Sequence, residues 1–252
     1  QLADKCPRRI IMTGTPVSNR PYDIWSQIYF LDLGQRLDNS FEIFKERYDL
    51  NNNLNNNIDG QVIFKNNLKL LQDKLKDCSV RETKETAGIE LPGKSFIAED
   101  IKMDVVQESL YKKMQEELSA TVLKDGKLVE ENVEAILKRL IRLVQISSNP
   151  RLVDESYLTE PPKLIASKKI VDKAVDNDSK VIIWTNFVDN VDQICNFFGY
   201  CGAVGIHGGV DPSERNKLIN KFRNDKDVRI LVATPGVARE GLTLVEANHA
   251  IF

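Results

Sequence analysis

Short apolar runs alternate with helical patterns after Pro161-Pro162, and this alternation constrains the fold more than any other feature of the sequence. The apolar runs lie in "SKVIIWTNF", "AVGIH", "VRILVAT" and "HAIF". The stretches between them have helical spacing, and Asp211 followed by Pro212 is typical of a helix start. Because strands that alternate with helices form βαβ units, the sequence predicts a doubly wound parallel α/β sheet with helices on both faces.

The working loops of such a sheet lie at the carboxyl ends of its strands. Here those ends are Thr185-Asn186, His207-Gly208-Gly209 and Thr234-Pro235-Gly236. The sequence therefore predicts that residues distant along the chain meet at one edge of the sheet.

A second polar loop follows an apolar run near the start, in "RRIIMTGTPVSNRP" at 8–21. Ile10, Ile11 and Met12 are typical of a buried strand that ends in a loop at Thr13-Gly14-Thr15. The phosphate cradle that such a loop often serves, G-x-x-x-x-G-K-[S/T], occurs nowhere in the 252 residues. The residues alone leave open which site this loop serves.

Composition excludes several classes of protein. The formal net charge is −2, from 35 basic and 37 acidic residues, so any nucleic-acid contact must use a local patch. The four cysteines form no C-x-x-C pair and the two histidines form no ligand set with them, which argues against a zinc site and indicates a reducing cytoplasmic or nuclear compartment. No apolar run is long enough to span a membrane, and we expect no membrane partner. No signal peptide or initiating Met opens the chain, so we expect a piece of a longer protein.

The middle of the chain, from about residue 62 to 158, is predicted to be mostly helical. "VVQESLYKKMQEELSATVL" and "VEAILKRLIRLVQI" have apolar residues at helical spacing, and "KDGKL" between them predicts a turn. "ELPGKSFIAEDIKM" predicts a turn followed by an alternating strand. "NNNLNNN" at 51–57 is expected to be a surface loop or a disordered insert.

Taken together and in order, these pieces resemble the SWI/SNF-type ATPases, which are superfamily 2 helicase-like DNA translocases. "MTGTPVSN" followed by "DIWSQIYFL" is similar to the family's third helicase motif, and "VRETKETAGIELPGK" to its Arg-Arg-x-Lys…Leu-Pro-x-Lys bridge. "LIRLVQISSNPRL", "HGGVDPSERNKLINKFRND" and "ILVATPGVAREGLTLVEANHAIF" follow in the order of the second motor lobe. The collinear pieces span nearly the whole chain.

Three positions depart from the family pattern. Val80 replaces the first Arg of the bridge, Asn149 stands where a His usually precedes Pro150, and "GLTL" at 241–244 replaces Gly-x-Asn-Leu. The resemblance places the family's P-loop and Asp-Glu box before Gln1 and its last arginine-rich motif after Phe252.

The resemblance implies a fold in three parts. Residues 1–80 would be the tail of a first RecA-like lobe with a helical insertion, and residues 81–162 a brace and helical protrusion. Residues 163–252 would be most of a second RecA-like lobe, the helicase C-terminal lobe.

The same resemblance implies roles for individual residues. Thr13, Gly14 and Thr15 would couple ATP hydrolysis to domain movement, whereas the residues alone also fit a Thr-capped turn. Arg239 would approach the nucleotide together with Glu240 and Gly241; the alternative is a surface arginine paired with Glu240 or Glu246.

A second group of residues is expected to contact nucleic acid. At the strand ends, neutral donors can hold phosphates without reading base sequence, although ordinary turn chemistry is the alternative. On the helix at 133–146, basic side chains could meet duplex phosphate, although a solvated helix face is the alternative. The two sets are Thr185, Asn186, His207, Gly208 and Thr234, and then Lys138, Arg139 and Arg142, with Arg151 shortly after them. Arg215, which matches a frequent family arginine, is expected to brace its helix against the sheet.

The implied parent is an ATP- and Mg²⁺-dependent double-stranded DNA translocase that remodels protein–DNA complexes, with duplex DNA and a DNA-bound protein complex as partners. The chain alone is expected not to hydrolyse ATP, because it lacks the phosphate cradle, the metal-binding carboxylate and the terminal arginines. Two alternatives stay open. One is a helicase that unwinds RNA or single-stranded DNA, and the other is a non-catalytic nucleic-acid-binding scaffold.

Overall fold

The computed structural model describes residues 2–17, 20–48, 58–90, 92–124, 127–128, 133–237 and 244–252. The chain divides into two compact units, Gln1–Ser95 and Phe96–Phe252. The Asn-rich stretch at 51–57, expected to be a surface loop, lies outside the described residues.

The regular elements in the described part of the first unit are all helical. Its elements are α1 (Leu2–Lys5), a 3-10 turn (Pro21–Ile24), α2 (Trp25–Asp32), α3 (Phe41–Tyr48) and α4 (Ile58–Lys76). Pro21 occupies the first turn of the 3-10 segment, and α2 ends where Leu33 and Gly34 take positive φ angles. Ile28, Phe44 and Leu71 are buried at the centre of this helical cluster.

The strand predicted at Ile10–Met12 is wrong. These residues have no regular structure, and the side chains of Ile10 and Met12 are 85% and 92% exposed. The described residues of this unit contain no β-strand. An apolar run without a neighbouring strand leaves its backbone N–H and C=O groups unpaired, so it does not form a strand alone.

The second unit opens with a helical hairpin. It consists of α5 (Val105–Val122), β1 (Leu123–Lys124), β2 (Lys127–Leu128) and α6 (Val133–Ser148), and Leu123 of β1 pairs with Leu128 of the antiparallel β2. The two predicted helices are confirmed, and residues 125 and 126 of the predicted turn lie outside the described residues. The buried amide of Gln107 donates from Nε2 to the Ile146 carbonyl at 2.7 Å and so ties the two helices together.

The strand predicted after Pro92-Gly93 is wrong as well. Residues 92–104 form no strand, and the side chains of Phe96 and Ile97 are 91% and 84% exposed. An alternating pattern forms a strand only where one face is buried on a core and a neighbour supplies the ladder. Neither is found for this segment in the part of the chain that the structure describes.

The predicted α/β sheet is confirmed. It is formed by α7 (Pro162–Asp176), β3 (Lys180–Trp184), α8 (Val188–Phe197), β4 (Ala203–Ile206), α9 (Pro212–Asn224), β5 (Ile230–Ala233) and β6 (Ala247–Ile251). The strand order is β4-β5-β3-β6, and every pair is parallel. The predicted start of α9 is also confirmed, because the Asp211 carboxylate accepts a hydrogen bond from the Ser213 N–H at 2.8 Å.

Both faces of the sheet are covered. On one face, Val181 and Ile183 pack with residues of α7 and α8, and on the other, Ile182 packs in a cluster that includes Phe222 of α9. The four residues of β5 have no exposed side-chain surface. Parallel sheets of this kind read as continuous apolar runs because both faces are buried, which is why the sequence revealed them.

Gly202, at the entrance to β4, is expected to be essential for stability. Its φ angle is +63°, and an added Cβ would lie 2.0 Å from the Asp227 carbonyl oxygen. We expect Gly202→Ala to lower the free energy of unfolding by about 2 kcal/mol or more. The cost of the left-handed backbone for a residue with a Cβ and the cost of overpacking against Asp227 add to each other. Urea denaturation measures the change.

Gly199 provides the matched control, three residues earlier. An added Cβ at Gly199 has no heavy atom within 4 Å. Gly199→Ala should therefore leave the unfolding free energy unchanged to within about 0.5 kcal/mol. Equal losses in the two variants would contradict the close approach at Gly202.

Candidate nucleic-acid interface

The carboxyl ends of β3, β4 and β5 lie side by side. The Thr185 N–H donates to the Ala233 carbonyl at 3.1 Å, and the Thr234 N–H donates to the Ile206 carbonyl at 3.2 Å. The parallel ladder therefore continues one residue past the strands. Adjacent strands are about 4.8 Å apart, so residues 185, 207 and 234 form a row along one edge of the sheet.

This row presents some of its side chains to solvent and others to the interior. Thr185 and Thr234 are both 8% exposed, whereas Asn186 and Gly208 are exposed and His207 is half-buried. Asn186, His207 and Gly208 therefore form the accessible part of the edge, which we call the strand-end surface.

The Thr185 hydroxyl is occupied inside the protein. It accepts hydrogen bonds from Asn190 Nδ2 at 3.1 Å and from the Phe187 N–H at 3.4 Å. Thr185 thus holds the turn that carries Asn186 instead of facing solvent.

His207 is oriented by the glycine two residues later. The Gly209 N–H donates to His207 Nδ1 at 3.1 Å. A ring nitrogen that accepts carries no proton, so the neutral ring has its N–H at Nε2 and can donate to an anion there.

Gly208 leaves open space beside that donor. An added Cβ at Gly208 would meet no heavy atom within 4 Å. A phosphate can therefore approach the backbone closely at this position.

The loop from β4 to α9 is fixed by its own polar groups. Arg215 Nη2 donates to the Val210 carbonyl at 3.0 Å, so this arginine braces the loop that precedes its helix. The hydrogen bonds that Ser213 donates hold the pKa of the Asp211 carboxyl below its usual range. The strand-end surface therefore has a defined shape and neutral donors.

A buried amide network, which the sequence analysis missed, lies behind this surface. Asn149 Nδ2 donates to Asn190 Oδ1 at 2.9 Å and to Gln193 Oε1 at 2.7 Å, and Asn190 Nδ2 donates in turn to Thr185. The one signal in the sequence was Asn149, which stands where the family usually has His. We call Asn149, Asn190, Gln193 and Thr185 the amide network.

The Thr13-Gly14-Thr15 loop belongs to the first unit. All three residues are exposed, and the Thr15 N–H donates to Thr13 Oγ1 at 3.1 Å. The loop is thus a local hydroxyl turn. An added Cβ at Gly14 would have no heavy atom within 4 Å, so its backbone is open to a close approach.

The basic residues of α6 differ in their surroundings. Lys138 pairs with Glu134 at 2.7 Å, Arg139 is half-buried and Arg142 is exposed. Lys138 and Arg142 lie one helical turn apart, so they share a side of α6.

Arg151 is occupied by the protein itself. Its guanidinium donates to the Tyr157, Leu158 and Thr159 carbonyls at 2.9–3.1 Å and to Glu160 at 3.2 Å. Its charge therefore closes the loop at 154–160 and is not presented to a phosphate.

Two further expectations concern the nucleotide and a metal ion. Arg239, Glu240 and Gly241, predicted to approach the nucleotide, lie outside the described residues. Among the described residues, no group of three His, Cys, Asp or Glu side chains could hold a metal ion. In the same part of the chain, no helix is both long and apolar enough to cross a membrane.

Two protein-family models match the chain. The SNF2-related domain matches residues 3–152, and the helicase conserved C-terminal domain matches residues 163–252.

Helicases from several organisms resemble the chain at low sequence identity. An uncharacterized ATP-dependent helicase of Mycoplasma pneumoniae is 26% identical over 248 residues, which cover 96% of this chain. The DNA annealing helicase and endonuclease ZRANB3 of Mus musculus is 24% identical over 256 residues, which cover 100% of it. The chain spans 22% of the length of each of these relatives.

Solved structures agree with the fold. The Sulfolobus solfataricus SWI2/SNF2 ATPase core in complex with dsDNA matches with a TM-score of 0.56 and 26% identity, covering 94% of this chain and 50% of that one. The C-terminal domain of the Sulfolobus solfataricus SWI2/SNF2 ATPase matches with a TM-score of 0.52 and 27% identity, covering 57% of this chain and 65% of that one. The sheet is thus RecA-like.

The role of Arg151 can be tested with a substitution that keeps its charge. We expect Arg151→Lys to lower the free energy of unfolding by about 1–3 kcal/mol, because an ammonium cannot reach three carbonyls in the planar geometry of a guanidinium. Chemical denaturation measures the loss. Lys138→Ala, on the exposed side of α6, should change it by less than about 0.5 kcal/mol. A loss at Arg151 no greater than that at Lys138 would show that the guanidinium does not close this loop.

Proposed function

Because the chain belongs to the SNF2-related family of helicase-like ATPases, we propose that it is part of an ATP-dependent motor that moves along double-stranded DNA and remodels protein–DNA complexes. The solved relative of similar fold that is bound to dsDNA supports duplex DNA as the track. A DNA-bound protein complex is the proposed target. The proposed place of action is the reducing interior of the cell, cytoplasm or nucleus, because the described cysteines are all free thiols.

The strand-end surface carries this proposal. It combines an amide side chain, a ring N–H and an open backbone position at one edge of the sheet. Neutral donors bind phosphate oxygens without reading bases, which suits a motor that must move along any sequence. Thr185 acts from behind this surface by holding the Asn186 turn. Thr234 is proposed as a further nucleic-acid contact at the same end of the sheet, and Lys138, Arg139 and Arg142 are proposed to add phosphate contacts from α6.

The remaining site residues are proposed to serve the coupling of hydrolysis to movement. Thr13, Gly14 and Thr15 would contact the carboxylates of the Asp-Glu box or the track. Arg239, with Glu240 and Gly241, would face the nucleotide. The proposed boundaries stay at residues 1–80, 81–162 and 163–252.

ATP and Mg²⁺ are proposed as cofactors of the intact protein. The phosphate cradle is missing from the sequence, and the described residues offer no metal-binding cluster. We therefore propose that the 252-residue chain alone does not hydrolyse ATP, because positioning of the phosphates and the metal supplies nearly all catalysis of phosphoryl transfer.

Steady-state ATP hydrolysis by the longest natural form of the protein tests the proposal. We expect strong stimulation by duplex DNA that falls as salt rises, since each phosphate contact adds about one unit to the slope of log affinity against log salt. The 252-residue chain should show no activity under the same conditions. Both are measured with no nucleic acid, duplex DNA, single-stranded DNA and RNA, at two salt concentrations.

The other outcomes separate the alternatives. Stimulation by RNA or single strands alone would identify an unwinding helicase. A folded full-length protein without ATPase activity would identify a binding scaffold.

The strand-end surface is tested by Gly208→Ala. The new methyl group has room in the free protein but blocks close approach of a phosphate to the backbone. We expect duplex DNA to bind about tenfold more weakly, which corresponds to one lost hydrogen bond to a charged group. Fluorescence anisotropy with a labelled duplex measures the affinity.

Gly199→Ala is the matched control, because Gly199 is exposed and precedes β4 at the opposite end of that strand. Its affinity for duplex DNA should equal that of the unaltered chain. A Gly208→Ala variant that binds as tightly as the control would remove this backbone position from the interface.

A further inference from the structure

The amide network connects the end of α6 to β3 and α8, which lie about 40 residues later in the chain. Asn149 follows α6, Asn190 and Gln193 lie on α8, and Thr185 directly follows β3. The side chains of Asn149 and Asn190 are 2% and 6% exposed. Because buried amides are stable only when they are hydrogen-bonded, the network fixes how these elements meet.

Asn149 uses its whole amide. Its two Nδ2 hydrogens go to Asn190 Oδ1 and Gln193 Oε1, and its Oδ1 accepts from the Arg151 N–H at 3.1 Å. A neutral His, the usual family residue here, offers one donor and one acceptor. Asn149 therefore makes one more hydrogen bond than the usual residue could.

A chain of hydrogen bonds, in which each side chain donates to the next, leads from Asn149 to the strand-end surface. Once Asn190 Oδ1 accepts from Asn149, its Nδ2 points to Thr185 Oγ1, with Ser148 Oγ also within 3.4 Å. Thr185 Oγ1 in turn accepts from the Phe187 N–H and closes the turn around Asn186. Each amide can satisfy its neighbours in one orientation only.

We propose that Asn149 is a positioning residue that holds the Asn186 turn in its nucleic-acid-binding geometry through Asn190 and Thr185, an inference that rests on the proposed function. It links the helical hairpin to the strand-end surface, so that a shift at the end of α6 reaches the track contact. Asn149 itself is buried and does not touch the track.

Asn149→Asp in the full chain tests the proposal with almost no change of shape. The carboxylate has no hydrogens for Asn190 or Gln193, so both amide oxygens lose their donor and face a charge. We expect amide hydrogen exchange across residues 185–190 to be about tenfold faster. We expect duplex DNA to bind about tenfold more weakly.

Thr185→Val is the second variant. It keeps the branched shape and removes the hydroxyl acceptor, so it should speed exchange at the same amides without introducing a charge. It keeps the proposal testable if Asn149→Asp does not fold.

Leu143→Ala is the matched destabilising control. Leu143 is a buried apolar residue of α6. Its loss should lower the melting temperature while leaving exchange at 185–190 and duplex affinity within about twofold at temperatures where the protein stays folded.

Two results would overturn the proposal. One is unchanged exchange and affinity in both Asn149→Asp and Thr185→Val. The other is an equal loss of affinity in Leu143→Ala, which would show that any weakening of α6 has this effect. Failure of the unaltered chain to bind duplex DNA would contradict the proposed function, and hydrogen exchange, which needs no DNA, would still decide whether Asn149 holds the turn.

Discussion

Parallel pairing of β3 with β5 and β6, and of β5 with β4, is the constraint on which the rest of the structure depends. Parallel strands need crossover helices, and those helices bury both faces of the sheet. The same pairing sends the carboxyl ends of β3, β4 and β5 to one edge. The strand-end surface and the amide network are therefore consequences of topology before they are consequences of any single side chain.

The sequence predicted this part of the fold because burial on both faces leaves a local signal. The strands β3, β4 and β5 are continuous apolar runs, and Asp211-Pro212 marks the start of α9. The same kind of signal failed at 10–12 and at 96–103. Whether an apolar or alternating run becomes a strand depends on a partner strand, and a local pattern does not report whether one is present.

For the candidate site, the sequence likewise predicted where residues lie in the fold but not which groups their side chains contact. Topology indicated which residues meet at the edge, but it did not indicate that Thr185 turns inward, because that depends on Asn190 in the following helix. Arg151 illustrates the same limit, since a positive charge suggests a phosphate contact whereas three carbonyls of its own chain occupy it. A sequence shows which groups are available, and only packing shows which of them are already bonded.

The proposed motor must hold a phosphate backbone and then release it. Lysine or arginine at every contact would bind the phosphate backbone tightly, with an affinity that depends steeply on salt. Each neutral donor contributes less binding free energy. Weak contacts act together only if they are already aligned, because ordering a flexible loop on binding costs conformational entropy. A turn held from behind by buried amides meets that requirement, since the network fixes Asn186 at the same end of the sheet as His207 and Gly208 before any track is present. The neutral strand-end surface and the amide network behind it therefore depend on each other, and neither alone explains the proposed binding of the phosphate backbone.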